Sequence, residues 1–100
     1  MPINKQVLED GRRVIIAVGG NFKSDLVSEF RASYKEESPD ARFIVDLRET
    51  EAMDSSALGM LLNMKAFLKK EDGEIELINA GGSVRKVLLI SRFDKKFSMG

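Results

Sequence analysis

The sequence predicts an α/β fold, a mixed sheet of four to five strands with helices mainly on one face, contained in one domain over residues 1–100. Three observations lead there. The chain opens on two β-prone runs joined by Asp10-Gly11, a hairpin signal. After that hairpin, amphipathic runs of helical period alternate with short apolar runs, the pattern of strands linked by helices. Finally, no repeat, low-complexity tract or Pro/Gly/Ser-rich linker divides the 100 residues.

Taken in order, residues 3–9 form the first strand and residues 12–18 the second. In the second, Val14, Ile16 and Val18 face one side and Ile15 and Ala17 the other, so both faces are apolar and the strand is expected inside the sheet. Gly19-Gly20-Asn21 should end it. From Phe22 to about Glu37, Phe22, Leu26, Val27, Phe30 and Tyr34 recur at helical spacing, with Asn21 or Ser24 available as a cap. Ser38-Pro39-Asp40 breaks that helix. Arg42 to Leu47 follows as a strand, which makes the strand–helix–strand passage a right-handed crossover.

Arg48 to Met53 reads as a charged connection. Beyond it Ala57, Met60, Leu61, Met64 and Leu68 trace one apolar stripe of a second helix that opens near Ser55 and ends at Lys69-Lys70. Glu71-Asp72-Gly73 turns the chain into a strand over residues 74–78, and Gly81-Gly82-Ser83 leads into a third helix carrying Val84, Val87 and Leu88. Residues 93–99 either add a short edge strand or pack on the sheet.

Composition removes whole classes of function. Sixteen basic and sixteen acidic side chains cancel, so no net field draws the chain to nucleic acid or an anionic membrane. Without cysteine there are no disulfides, thiolate metal sites or thiol redox chemistry. Without histidine there is no Ser-His-Asp hydrolysis, no imidazole zinc site and no phosphohistidine. No apolar run approaches the roughly 20 residues that span a bilayer, and no basic-then-apolar leader stands at the amino end. A cytoplasmic, non-enzymatic protein without cofactor or metal is expected. The acidic side chains of Asp46, Glu49, Glu51 and Asp54 form a solvated loop rather than a magnesium site, and the glycine pairs match no phosphate-binding loop.

The stretch richest in chemistry is Ile44-Val45-Asp46-Leu47, a charged loop, and then Met53-Asp54-Ser55-Ser56-Ala57-Leu58-Gly59-Met60. It resembles the signature of the STAS domain family: a strand ending in Asp-Leu, a loop, and an Asp-Ser-Ser or Asp-Ser-Thr segment opening a helix, as in anti-sigma-factor antagonists. The resemblance extends to Gly20-Asn21-Phe22 with Glu29-Phe30-Arg31, and to Val84-Arg85-Lys86-Val87-Leu88 through Phe93-Asp94-Lys95-Lys96-Phe97, so it covers nearly the whole chain. Two departures stand out. Ala57 replaces a more usual glycine, which a helix accepts easily, and Lys23 stands where many members carry an acidic residue beside the phosphorylation site, so the resemblance implies a less negative local field here and a different partner or kinase efficiency.

The resemblance implies a phosphorylation-controlled partner switch. The unphosphorylated chain would bind an anti-sigma factor with a serine-kinase fold or a related regulator, that kinase would phosphorylate Ser55, with Ser56 the runner-up, and a serine phosphatase would reset it. Asp54, Ser55, Ser56, Met53 and Leu58 are the expected partner contacts. No nucleic acid contact and no membrane insertion is expected of the chain itself. Two plainer readings stand beside this. Asp54 or Ser55 is a good helix N-cap in any protein, and Met53, Leu58 and Leu62 serve equally as core. The family also implies an alternative role as a non-catalytic subunit of a membrane transport complex.

Overall fold

The computed structural model describes residues 2–100. Among them the elements run β1 (Ile3–Leu8), β2 (Arg13–Val18), β3 (Gly20–Phe22), α1 (Val27–Tyr34), β4 (Arg42–Asp46), β5 (Thr50–Met53), α2 (Ser55–Phe67), β6 (Ile75–Ile78), α3 (Gly82–Ile90) and β7 (Ser98–Met99). Single 3-10 turns occupy Ser24–Leu26 and Phe93–Lys95. The main sheet has five strands in the order β1-β2-β4-β6-β7. β1 is antiparallel to β2, and the remaining pairs are parallel, so the sheet is mixed as expected.

The hairpin between β1 and β2 is made by Glu9, Asp10 and Gly11, all with positive φ, and Gly11 N–H closes it on Leu8 O at 3.1 Å. The two-residue period of β2 then sorts its side chains. Val14, Ile16 and Val18 are fully buried and share a core with Phe43, Val45, Ile75 and Leu77 of β4 and β6. Into the same core come Phe30 and Tyr34 from α1, Ala57, Met60, Leu61 and Met64 from α2, and Val84 and Leu88 from α3. The helices therefore cover one face. On the other face Ile15, Ala17 and Ile78 are half-buried, and an Arg42–Glu76 ion pair spans β4 and β6 at 3.0 Å. The predicted apolar stripe of α2 holds, for Ala57, Met60, Leu61, Met64 and Leu68 are all buried. Both options for residues 93–99 are realised, since Phe93 and Phe97 pack in the core while Ser98–Met99 pairs with β6.

Two sequence expectations are corrected, and they are linked. The helix expected over residues 22–37 begins only at Val27. Gly20, at φ +74°, bends the chain after β2, and Gly20–Phe22 continues as β3 with an irregular register step at its start. Phe22 thus enters the core from a strand, and Val27, counted on the apolar stripe, is 49% exposed. Neither Asn21 nor Ser24 caps α1, whose N-cap position is Leu26 without a side-chain bond. The charged connection over residues 48–53 is likewise partly a strand: β5 runs parallel to β3, pairing Asn21 with Ala52 and Phe22 with Met53. The reason is tertiary. Neither three- nor four-residue segment alternates strongly enough to announce itself, and each is a strand only because the other lies beside it.

Candidate functional site

The small β3–β5 sheet positions the signature segment. Its base is fastened to the main sheet where Thr50, buried, donates from Oγ1 to Val18 O at 2.6 Å, and at the base of the small sheet itself Gly20 N–H donates to Glu49 O at 3.0 Å. β5 then delivers the chain directly into Asp54 and α2. Asp54 keeps the extended conformation of the strand (φ −117°, ψ −174°), the backbone state that an N-cap needs. Its Oδ1 accepts from Ser56 N–H at 3.0 Å and Ala57 N–H at 3.3 Å, so it satisfies two of the amides left open at the helix start. The capping role is real.

The two serines differ in what their hydroxyls do. Ser56 Oγ donates to the same Asp54 Oδ1 at 2.5 Å and is half-buried. Ser55, the first residue of α2, is exposed and its hydroxyl makes no hydrogen bond to any described residue. The Ser56 hydroxyl is the largest influence holding the Asp54 carboxyl below its ordinary 3.8; loss of solvation opposes it next, and the Ala57 and Ser56 amides then add to the lowering. Asp54 is consequently ionised at neutral pH. Because its folded pKa is depressed, the stability it contributes is complete above the ordinary carboxylate range and is lost as pH falls through the depressed value.

A direct check follows by carboxyl NMR titration. In Ser56→Ala the Asp54 midpoint should rise toward its ordinary value while the helix stays capped by the same carboxylate. An unchanged midpoint would mean that the backbone amides alone hold it down.

Met53 is half-buried against the core, as is Leu58 one turn into α2, while Leu62 is 38% exposed. Met53 also lines a shallow groove of about 200 Å³ together with Asn21, Phe22, Lys23, Ala52 and Asp54. Asn21, Phe22 and Ala52 had no place in the sequence reading of this site. Their only signal was the Gly20-Asn21-Phe22 turn itself, which reads as a helix entry until β5 is set beside it. In the acidic loop Asp46 Oδ1 accepts from Arg48 N–H and Asn79 Nδ2, each at 3.0 Å. Among the described residues no three carboxylates, histidines or cysteines gather to hold an ion. No described helix is long and apolar enough to cross a membrane.

Comparison with known proteins identifies the fold and the family. The family model described as Mlab, STAS domain, matches residues 6–99. A STAS-domain containing protein of Pseudomonas aeruginosa (strain UCBPP-PA14) is 37% identical over 91 residues, which is 90% of each chain. Among solved structures, an anti-sigma factor antagonist from Mycobacterium paratuberculosis superimposes with TM-score 0.70 at 20% identity, over 97% of this chain and 84% of that one. The Bacillus cell fate determinant SpoIIAA in its phosphorylated form gives TM-score 0.68 at 19% identity, over 98% and 90%. The fold is thus that of SpoIIAA, and with the family model and the Pseudomonas relative both spanning nearly all of the sequence, the chain belongs to the STAS domain family.

Proposed function

We propose that this protein is an anti-sigma-factor antagonist working by a phosphorylation-controlled partner switch. Unphosphorylated, it binds an anti-sigma factor with a serine-kinase fold; phosphorylated on Ser55, it is released, and a serine phosphatase restores the binding form. The observation that carries the reading is the contrast between the hydroxyls. Ser55 offers an exposed, unbonded nucleophilic oxygen at a helix start, whereas the Ser56 oxygen is tied to Asp54. In the transfer, Ser55 Oγ forms the new P–O bond, the bond between the γ-phosphorus of ATP and its bridging oxygen breaks, and ADP leaves. The hydroxyl proton passes to a base on the kinase. Nucleotide and magnesium belong to that partner, so the chain is substrate and ligand rather than enzyme. Two of the similar structures bear names that agree with this role, one an anti-sigma factor antagonist and the other solved phosphorylated.

The physical logic of release is local. A phosphoserine adds about −1.5 to −2 charges next to an Asp54 carboxylate that is already ionised. The free amides of a helix start tolerate that charge, so the fold persists. A partner surface fitted to a neutral hydroxyl does not. Affinity capture from the native host with tagged parent, Ser55→Ala and Ser55→Asp proteins tests the reading. A kinase-fold protein should be retained by parent and Ser55→Ala and bound at least about tenfold more weakly by Ser55→Asp, a difference of roughly 1.4 kcal/mol. Retention of one partner equally by all three would sink the switch, and if that partner were a transport ATPase the alternative role as a transporter subunit would replace it.

A further inference from the structure

Resting on Ser55 as the acceptor, we infer that Lys23 is the chain's own counter-ion for the phosphoryl group on Ser55, so that phosphorylation also withdraws a free ammonium from the rim of the partner groove. Three observations lead to it. Phe22 and Met53 are partners in the parallel β3–β5 pair, and both chains remain extended one residue further, at Lys23 (φ −148°, ψ −174°) and Asp54 (φ −117°, ψ −174°). The next step of the register therefore sets Lys23 beside Asp54, and both line the same groove. With strands roughly 4.8 Å apart and Ser55 one residue beyond, the Lys23 and Ser55 backbones lie within roughly 9 Å, a gap that a lysine stem and a phosphoserine can bridge from opposite sides.

Lys23 is also uncommitted. It is exposed and makes no ion pair or side-chain hydrogen bond with any described residue, whereas Lys5, Lys65 and Lys70 are each engaged. Asp54, its neighbour across the strands, already spends Oδ1 on the helix start and on Ser56. An added phosphoryl group is the stronger attractor, with about two negative charges and three acceptor oxygens. In the free form the groove thus offers a partner an apolar floor of Ala52 and Met53 with an ammonium on one rim and a carboxylate on the other. In the phosphorylated form the ammonium turns to the phosphate, and that rim loses its cation.

The second ionisation of the phosphoserine reads this directly. Phosphoserine is incorporated at position 55 during translation, and the purified full chain is titrated by phosphorus-31 NMR at low ionic strength in three versions: parent, Lys23→Ala and Lys23→Arg. Free phosphoserine ionises near pH 6. The parent should ionise about 0.3 to 0.5 pH unit below Lys23→Ala, the difference should shrink at high salt, and Lys23→Arg should recover the parent value. The other charges on the elements around the site, Asp54, Asp25 of the 3-10 turn, Glu51 of β5, and Arg85 and Lys86 of α3, the helix that packs on β5, are the same in all three, so the difference belongs to Lys23. Equal midpoints for parent and Lys23→Ala would overturn the inference, as would a Lys23→Arg variant that behaves like Lys23→Ala. Because the titration involves no partner, it can fail while the Ser55 capture experiment succeeds, and the reverse.

Discussion

Phe22→Ala is expected to lower the free energy of unfolding by about 3–5 kcal/mol, and to loosen the site more than the rest of the molecule. Phe22 is fully buried, and its ring lies 5.1 Å from that of Phe30, which in turn meets Tyr34 at 5.7 Å. Truncation removes the apolar area, leaves a cavity and ends the aromatic contact in one step. The position matters as much as the volume. Phe22 is the core anchor of a three-residue strand, and among the described residues β5 has only that strand as its ladder partner. Amide hydrogen exchange should therefore show Ala52 and Met53 opening at a distinctly lower free energy than the amides of β2 and β4. If all of them lose protection together, β3 and β5 are not a separately held unit.

Leu61→Ala is the complementary case, with an expected loss of about 2–5 kcal/mol. Leu61 is fully buried in the middle of α2, beneath the sheet-facing stripe it shares with Ala57 and Met64. Denaturant unfolding should show the loss as a lower midpoint with an unchanged slope, and exchange should accelerate alike in β2, β4 and β5, because the damage is to the common core rather than to the site. Against a total stability of roughly 5–15 kcal/mol, either variant consumes much of the margin, so both are best measured at low temperature. A Leu61→Ala protein that loosened only β5 would contradict the division of labour drawn here.

Much of this molecule was legible as sequence. Period-two burial in β2 and the helical stripe of α2 are local consequences of backbone geometry, so counting residues was enough to find them. The hairpin at Asp10-Gly11 and the helix start at Asp54 were equally legible, because turns and caps depend on residue types within a few positions of each other. Helix α1 misled for the same reason. Phe22 falls on a helical period with Leu26 and Phe30, and nothing within that window says that it belongs to a strand.

The sequence by itself determined the family, the main sheet, the helices α2 and α3, and the segment in which Asp54, Ser55 and Ser56 stand together, since each of these is written in neighbouring residues. Tertiary structure alone decided that Gly20–Phe22 and Thr50–Met53 are strands and that Lys23, which the family resemblance had set near the phosphorylation site, lines one groove with Asp54. The physical reason is pairing. A short strand has too few side chains to declare itself, and its hydrogen bonds are satisfied only when a partner some thirty residues away along the chain, here Met53 for Phe22, is folded against it.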